Sequence, residues 1–286
     1  MNGTVLIAGA TGRVGGAAVG HLLRAGFGVR ALVRSEKGGE RLRSSGAEVV
    51  VGDVTELSSL ASAVEGCSGI YVALAAGPGR GSAEEVEYRG NLNLLAAARE
   101  AGVSRFVYSS ALFVDHPLVQ RVGTFREKWR FEEVLLLTED VSATVLRPAM
   151  FMETLLMALR GPMAFVPGWQ RRPASWISAS DVALAAVRAF EKGITGRHEL
   201  AGPDFETFDG AYARLAQAWG RKIRVLHPPL ASLRVPGLVL GEVRELADMF
   251  SLFDAAGYAA DPAPLRERFE IQAHTLEEWA GFSGPG

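Results

Sequence analysis

Short apolar runs alternate with amphipathic segments along the first half of the chain. The runs at 4–8, 29–33, 48–52, 69–74, 105–110 and 143–147 are rich in Val, Ile, Leu and Ala, and we interpret them as strands. Between them, apolar residues recur at spacings of three and four, as Leu92, Leu95 and Ala96 do, which predicts helices. Glycines stand where these helices would end: Gly26, Gly46, Gly66 and Gly102. This alternation predicts a doubly wound parallel sheet with helices on both faces.

The pattern changes after Pro148. We predict a helix over 150–160, a loop over 161–173, a helix over 177–193 with a capping signal at Ser178 and Asp181, and a strand at 197–202. A helix near 208–219, a strand at 222–226, a mostly helical stretch from about 229 to 256 and a final helix capped by Thr275 and Glu278 would follow. The chain thus divides into an α/β core over 1–148, completed by about 177–202, and a smaller part formed by 149–176 and 203–286.

Composition narrows the class of protein. The chain has 286 residues, of which 48% are hydrophobic and 22% charged, so it can build a sizeable core. A net charge of −2 gives no general attraction to nucleic acid or to an anionic membrane, and no helix-turn-helix or zinc pattern marks direct nucleic-acid binding. The single cysteine, Cys67, excludes an intramolecular disulfide and a Cys-rich metal site. With neither a signal-peptide pattern nor an apolar run long enough for a bilayer, we expect a cytoplasmic protein without a bound metal.

The stretch GATGRVG, from Gly9 to Gly15, directly follows the first strand and opens a helix. In that context glycines at 9, 12 and 15 form a dinucleotide fingerprint. Gly9 permits the tight turn, Gly12 lets the backbone approach a pyrophosphate, and Gly15 lets the helix pack close to the strand, while N–H groups at the helix start bind the anion. The alternative is a glycine-rich turn that binds no ligand.

The end of the second strand bears on the kind of dinucleotide. An NAD site usually carries an acid there, whereas this chain has Arg34 in LVRSEK. A guanidinium suits a 2′-phosphate, so we predict NADP(H), with Arg13 able to reach the same region. A solvated surface charge is the alternative for Arg34, and Glu36 is the nearest acid.

Two further strand ends would border the same ligand. Asp53 and Val54, in GDVT, are predicted cofactor contacts. Asp53 is placed to accept from an adenine amino group, or else to cap a helical segment that begins near Thr55. After the fourth strand, ALAAG offers small residues where the sheet edge would pass close to ribose and pyrophosphate; the predicted contacts are Ala73, Leu74 and Ala75.

The stretch GTFREKW holds Lys128 between two aromatic residues, Phe125 and Trp129. The lysine is either a solvated charge on a helix or a group that meets the cofactor.

These motifs together resemble a known family. GATGRVG, VRALVR, GDV, RFVYSSA, FREKW, LRPAMFMET and WISASDVALAAV follow one another in this order, and the chain resembles the NmrA-like and isoflavone-reductase-like branch of the atypical short-chain dehydrogenase/reductases over about residues 4–202. The resemblance implies a Rossmann-type NADP-binding core, a small α+β C-terminal substrate subdomain and a cleft between them. It also implies roles: Gly9, Thr11, Gly12, Arg13, Val14 and Gly15 at the phosphates, Arg34 at the 2′-phosphate, Asp53 at adenine, Ser109 and Ser110 beside the nicotinamide, Lys128 at its ribose, and Pro148, Met150 and Phe151 flanking its ring.

One position departs from the wider superfamily. That superfamily pairs a tyrosine with a lysine four residues later, whereas Thr124 stands four residues before Lys128. A threonine hydroxyl is a far weaker acid than a phenol. The isoflavone-reductase-like branch also keeps the lysine without the tyrosine. Tyr108 lies on a strand and is no positional substitute, and His116 is either a proton donor or an ordinary loop histidine. Lys128 and Ser110 are the predicted catalytic residues.

The sequence therefore predicts an NADPH-dependent oxidoreductase that reduces a small, largely apolar carbonyl, enone or quinone. The aromatic and Met residues after the core form either a pocket wall or ordinary core: Met150, Phe151, Phe165, Trp169 and Trp176. The alternative function is a non-catalytic NADP(H)-binding redox sensor that acts through a protein partner. A nucleotide-sugar epimerase is the function that the missing tyrosine disfavours most. The sequence leaves open whether the protein forms a homodimer.

Overall fold

In the computed structural model, residues 2–77, 81–233 and 241–284 are described. The strands, in chain order, are β1 Asn2–Ala8, β2 Phe27–Val33, β3 Glu48–Val51, β4 Cys67–Val72, β5 Arg105–Ser109, β6 Ser142–Pro148, β7 Met150–Phe151, β8 Leu159–Arg160, β9 Met163–Phe165, β10 Ala174–Ile177, β11 Gly196–Leu200, β12 Phe205–Glu206 and β13 Arg224–Leu226.

The α-helices are α1 Arg13–Arg24, α2 Glu36–Ser44, α3 Ala61–Val64, α4 Gly90–Glu100, α5 Gly123–Leu136, α6 Glu153–Ala158, α7 Ala179–Lys192, α8 Phe208–Ala218, α9 Gly241–Ala256, α10 Ala263–Glu267 and α11 Leu276–Phe282. Leu57–Ser59 and Pro117–Arg121 form 3₁₀ turns, and Glu84–Arg89 forms a π-helical turn that leads into α4. Among the described residues, no helix is both long and apolar enough to cross a bilayer.

The main sheet has seven strands in the order β11-β6-β5-β4-β1-β2-β3. Neighbours from β3 through β6 pair in parallel. Apart from the edge strand β11, this is the doubly wound order in which the strand sequence reverses next to β1. The predicted Rossmann-type sheet is confirmed.

Alternation along the strands decides which helices cover each face of this sheet. Leu6, Ile70, Phe106 and Tyr108 lie in one buried cluster with residues of α4 and α5. Tyr108 meets the ring of Phe131 edge-on, with the ring centroids 4.9 Å apart.

The four glycines that were predicted to end helices, Gly26, Gly46, Gly66 and Gly102, all have positive φ, as this kind of helix end requires.

Contacts divide the chain into two compact units. The first is Met1–Val114, Gly123–Arg147 and Val182–His198, and the second is Asp115–Val122, Pro148–Asp181 and Glu199–Gly286.

The second unit differs from expectation most between Met150 and Ile177. The predicted helix over 150–160 is wrong at both ends, since only Glu153–Ala158 is helical, and the predicted loop contains β9. Trp176 pairs with Met150, and Arg160 with Met163. These strand pairings give the backbone N–H and C=O groups of this segment their hydrogen-bond partners. The secondary structure here is therefore set by partners remote in sequence and not by the helical spacing of apolar residues.

Capping at the two helix starts is confirmed. Thr275 and Glu278 form a capping box at α11. At α7, Ser178 Oγ accepts from the N–H of Asp181 at 3.0 Å and donates to its Oδ2 at 2.7 Å, while Asp181 Oδ1 meets His274 Nδ1 at 2.7 Å. Because the serine donates to the carboxylate and not to the histidine, this group is a cap and not a nucleophile with its base. Of the helical stretch predicted from about 229 to 256, Gly241–Ala256 is helical and 234–240 lies outside the described residues.

Candidate functional site

The carboxyl ends of the parallel strands bring most of the predicted site residues to one edge of the main sheet. Gly9 follows β1, Arg34 follows β2, Ala73 follows β4 and Ser110 follows β5. The strand order reverses between β1 and β4. In open α/β sheets, ligands bind at this reversal, outside the carboxyl ends of the strands.

The glycine-rich loop is built on close backbone approaches. Gly9 has a φ of +92°, and its carbonyl accepts from the Gly12 N–H at 2.9 Å. A Cβ added at Gly15 would lie 2.2 Å from the Gly9 oxygen, and one added at Gly9 would lie 2.4 Å from the Ala73 oxygen. Any side chain at Gly9 or Gly15 would therefore displace backbone, which is why this turn needs glycine.

The start of α1 suits an anion. The N-cap residue is Gly12, which has no side chain to accept from the first-turn N–H groups, and Arg13, Val14 and Gly15 bring no acid there. The positive end of the helix dipole therefore faces the loop with its charge unopposed by the first turn. A Cβ on Gly38 of α2 would lie 3.9 Å from Thr11 Cγ2, so the start of α2 borders the same loop.

Arg34 is exposed immediately after β2. The nearest acid, Glu36, is engaged in an ion pair with Arg43 along α2. The negative charge closest in sequence to Arg34 is therefore partly neutralised by its own helix.

Asp53 lies two residues after β3, and one of its carboxylate oxygens is already hydrogen-bonded. Its Oδ1 accepts from the N–H of Thr55 at 2.9 Å and from the Thr55 hydroxyl at 2.8 Å. The helical turn begins at Leu57, not near Thr55, so Asp53 closes a local turn and the predicted helix cap is misplaced. Val54 is buried, and its Cγ2 would be 2.7 Å from a Cβ on Gly90, so its side chain packs beneath the start of α4.

Lys128 is not a solvated charge. Its side chain is 9% exposed, and its Nζ lies 3.0 Å from Glu87 Oε2. The ammonium also donates to the Leu74 carbonyl at 3.3 Å, in the loop after β4, and lies 5.7 Å from the centre of the Tyr108 ring. The solvated-charge alternative is therefore wrong, and the lysine is held against one of the loops predicted to meet the cofactor.

Glu87 is the site residue that the sequence analysis missed. Its side chain is 1% exposed, and its Oε1 accepts from the Ala76 N–H at 2.8 Å and more weakly from the Thr124 hydroxyl at 3.5 Å. A signal was available, because Glu87, Asn91, Leu94 and Ala98 follow one another at spacings of four, three and four. An acid and an amide on the same helical stripe as two apolar residues point to a buried polar contact.

The end of β5 presents two serines in different surroundings. Ser109 Oγ lies 2.7 Å from the Tyr71 hydroxyl, while Ser110 Oγ and the Tyr108 hydroxyl are buried without a hydrogen-bond partner among the described residues. Burial raises the pKa of both tyrosines, and the charges of Glu87 and Glu132 raise that of Tyr108 further. Both phenols therefore stay neutral near pH 7, and the Ser110 hydroxyl is the kind of buried polar atom that a ligand satisfies.

The predicted nicotinamide-flanking residues lie in the second unit. Met150 is buried and Phe151 half-buried, while Pro148 ends β6. Trp176 is fully buried and meets the Phe208 ring edge-on, so it belongs to the core.

Three other residues of that unit were candidates from the sequence. Phe165 is 40% exposed and Trp169 64% exposed, so neither is core. His116, also in the second unit, accepts from the N–H of Leu118 at 3.2 Å through Nδ1.

The residues of the first unit fit a dinucleotide. Gly9, Gly12 and Gly15, which we call the glycine cradle, leave space that any added Cβ would narrow. The start of α1 offers its N–H groups to an anion, and Ser110 has a buried hydroxyl without a hydrogen-bond partner among the described residues. Within the described residues, no group of His, Cys, Asp and Glu is arranged to hold a metal ion.

Comparison with known proteins finds relatives that match this chain over most of their own length. It is 28% identical over 256 residues to an NAD(P)H azoreductase of Xenophilus azovorans, covering 85% of this chain and 84% of that one. It is 30% identical over 293 residues to the photosystem II assembly factor Ycf39 of Synechocystis, covering 96% and 89%. The crystal structure of the NADPH-dependent quinone oxidoreductase QOR2 of Escherichia coli, complexed with NADPH, shares the fold at a TM-score of 0.79 and 23% identity, over 97% and 98% of the two chains.

A family model describes the chain almost from end to end. The model of the NmrA-like family matches residues 1–284, which includes both compact units and every element that carries the candidate site. The glycine cradle, the buried lysine and the sheet order therefore occur in a chain that belongs to the NmrA-like family.

Proposed function

We propose that the protein is an NADPH-dependent oxidoreductase that reduces a small, largely apolar carbonyl, enone or quinone. The observation that carries this proposal is the Lys128 ammonium, buried against the loop after β4 on the same sheet edge as the glycine cradle. In this proposal residues 1–148 and about 177–202 bind the dinucleotide, and 149–176 with 203–286 bind the substrate. The proposed partner is a small aromatic or quinone-like molecule, and the proposed location is the cytoplasm. A homodimer is a further prediction, which light scattering can test.

Relatives support reduction as the reaction class. The Xenophilus azovorans relative is named for NAD(P)H-dependent azo reduction, and the Escherichia coli structure of the same fold is a quinone oxidoreductase bound to NADPH. Azo compounds and quinones are both conjugated acceptors, in which the charge that develops during reduction is delocalised.

The choice of NADPH over NADH rests on Arg34. The guanidinium is exposed beyond β2, and the Glu36 carboxylate beside it is turned to Arg43. A 2′-phosphate would meet a cation there without facing an unpaired acid.

The chain's own residues would bind, orient and stabilise charge. A bound NADPH would supply a hydride from nicotinamide C4. The start of α1 would hold the pyrophosphate, and Lys128 would hold hydroxyls of the nicotinamide ribose and stabilise negative charge that develops on the substrate oxygen. Thr124 faces the Glu87 carboxylate and is a poor acid, so water or the Ser110 hydroxyl would assist proton delivery. A quinone or enone suits such a site, because its delocalised oxyanion needs only a weak acid.

The direct test measures NADPH oxidation against a panel of quinones and enones. We expect the purified protein to consume NADPH with at least one acceptor, and Lys128→Ala to lower kcat/KM by roughly tenfold or more. Lys222→Ala changes an exposed lysine and is the control; it should change turnover far less than Lys128→Ala does. Full activity in Lys128→Ala would refute the role of the lysine.

The cofactor assignment has its own test. Arg34→Ala should weaken NADPH binding by roughly tenfold or more and change NADH binding little, since a charge-assisted hydrogen bond contributes about 1.5–3 kcal/mol and only NADPH carries the 2′-phosphate. Isothermal titration calorimetry with both nucleotides measures this difference. Equal losses for NADPH and NADH would remove the basis for the 2′-phosphate assignment.

A second candidate is a non-catalytic NADP(H) sensor that acts through a protein partner. Two observations favour it: Thr124 replaces the tyrosine acid, and a 30% identical relative is named an assembly factor and not a reductase. If NADPH binds tightly while no acceptor in the panel is reduced, the sensor is the better description.

A further inference from the structure

Glu87 lies at a junction between two parts of the proposed cofactor site. One carboxylate oxygen accepts from the Ala76 N–H at 2.8 Å, in the loop after β4, and the other lies 3.0 Å from the Lys128 ammonium on α5. Both charged side chains are almost fully withdrawn from solvent. A buried ion pair of this kind costs desolvation that its attraction only partly repays, so stability alone is a weak reason for it.

The loop that Glu87 holds is tied to the glycine cradle at its other end. The Ala73 carbonyl lies where a Cβ on Gly9 would be 2.4 Å away, and the Ala73 N–H donates to the Ala8 carbonyl at 2.9 Å. Leu74, the next residue, accepts from Lys128. Within four residues the loop therefore contacts the phosphate-binding turn, the lysine and Glu87.

The geometry also leaves the ammonium able to bind a ligand. Glu87 Oε2 lies 3.0 Å from the Lys128 ammonium, and the Leu74 carbonyl accepts from the same group at 3.3 Å. A lysine ammonium has three N–H donors, so these two contacts leave one donor for a ligand. Glu87 thus fixes where the charge lies and still leaves a proton that a ribose hydroxyl would accept.

Glu87 reaches this position from an unusual turn. Glu84–Arg89 is π-helical, and α4 begins directly after it at Gly90. A π-helical turn is wider than an α-helical one and changes the register of the residues before it, and such turns are frequent at functional sites.

We propose that Glu87 is a positioning residue of the dinucleotide site, whose carboxylate sets the Lys128 ammonium and the loop after β4 in one arrangement for the nicotinamide ribose. The proposal rests on the proposed function, because it assumes that this sheet edge binds NADP(H). It assigns to Glu87 no contact with the reacting atoms; the residue acts through Lys128 and through the loop backbone.

The test compares two ligands on Glu87→Gln. Adenosine 2′,5′-bisphosphate carries adenine and the 2′-phosphate but lacks the second ribose and the nicotinamide, whereas NADPH carries all of them. Glutamine keeps an oxygen for the Ala76 N–H, removes the negative charge, and turns an NH2 group, which cannot accept from the ammonium, toward Lys128. We expect the affinity for NADPH to fall roughly tenfold or more while the affinity for the bisphosphate changes less than about twofold. Calorimetry measures both.

A matched control separates positioning from stability. Glu132 is equally buried on α5, and it pairs with Arg147 at 2.7 Å and with Arg197 at 3.1 Å, not with Lys128. Glu132→Gln should lower the midpoint of thermal unfolding and keep the ratio of the two ligand affinities unchanged.

A double-mutant cycle tests whether Glu87 acts through the lysine and covers the case in which Glu87→Gln folds poorly. Lys128→Met with Glu87→Gln leaves no unpaired buried charge, so the double variant should fold. We expect it to lose no more NADPH affinity than Lys128→Met alone.

The outcomes separate the two proposals. If the unaltered protein binds neither ligand, the cofactor site itself is wrong and the positioning role falls with it. If it binds both and Glu87→Gln weakens both equally or neither, the site stands and the positioning role is refuted. Additive losses in the double variant would refute the route through Lys128.

Discussion

Replacing Gly15 with alanine tests the packing of the glycine cradle directly. The added Cβ would lie 2.2 Å from the Gly9 oxygen, 2.7 Å from the Gly9 carbonyl carbon and 3.1 Å from the Ala10 nitrogen. Ordinary contact begins at 3.4 Å, and all three neighbours are backbone, so no side chain can swing aside. The turn or the start of α1 must therefore move by roughly 1 Å.

The size of the effect follows from two opposing terms. Overpacking of this kind costs about 1–3 kcal/mol, whereas alanine gains up to about 1 kcal/mol over glycine inside a helix. Gly20, in the same helix, isolates the first term, because a Cβ there meets only the end of the Arg24 side chain, at 3.3 Å. We expect Gly15→Ala to be less stable than Gly20→Ala by about 1–3 kcal/mol, a difference of roughly 2–10 °C in unfolding midpoint for a chain of this size.

Binding should respond more strongly than stability. The Gly9 carbonyl, which the added methyl group would displace, accepts from the Gly12 N–H. In the proposed cofactor site this hydrogen bond would set how closely the backbone approaches a pyrophosphate. A misplacement of about 1 Å can cost on the order of a hundredfold at a preorganised site. Thermal unfolding and NADPH calorimetry on both variants provide the assay. Equal stability of Gly15→Ala and Gly20→Ala, together with NADPH binding like that of the unaltered protein, would contradict the close packing at Gly15.

Two further predictions concern single ionisable groups. Burial raises the pKa of the Cys67 thiol, so its reaction with a disulfide reagent near pH 7.5 should be at least roughly a hundredfold slower in the folded protein than in denaturant; rapid reaction of the native protein would contradict that burial. The Arg214 hydrogen bond lowers the pKa of Glu277 below its ordinary 4.5, so the pair stabilises the fold above that pH and loses its effect as pH falls through the lowered value. Glu277→Gln should thus lower the free energy of unfolding near pH 7 by less than about 1 kcal/mol, because the pair is partly exposed. The difference from the unaltered protein should vanish in strong acid. A difference in unfolding midpoint that stays constant with pH would contradict this role of the pair.

Much of the first unit was predictable because its signals are local. Strands buried on both faces consist of continuous apolar residues, and helices that return to the sheet end at glycines with positive φ, so β1 to β6 follow from neighbours in sequence. The second unit was harder. Its strands are two to four residues long and pair across gaps of up to about sixty residues, as Arg224 with Met163, so no local period marks them.

The candidate site shows the same division. The glycines of the cradle and Arg34 were predicted from the sequence alone, because the expected chemistry depends on backbone conformation and on position after a strand. The structure shows the close packing that requires glycine at 9 and 15, and the role of Arg34 stays a prediction. The role of Lys128 was ambiguous from the sequence, because a lysine on a helix does not indicate which residues of other elements lie against it. Only the tertiary structure brings Glu87 from a different helix and Leu74 from a loop to that ammonium.

The sequence by itself determined the doubly wound sheet, the glycine-rich turn after β1 and the missing tyrosine, because each depends on residue type and on spacing within a short stretch of chain. The tertiary structure decided which charges are buried and what they meet. The burial and the pairing of a charge depend on groups that are remote in sequence. Glu87 and Lys128 are 41 residues apart along the chain, and no local pattern specifies that they meet in space.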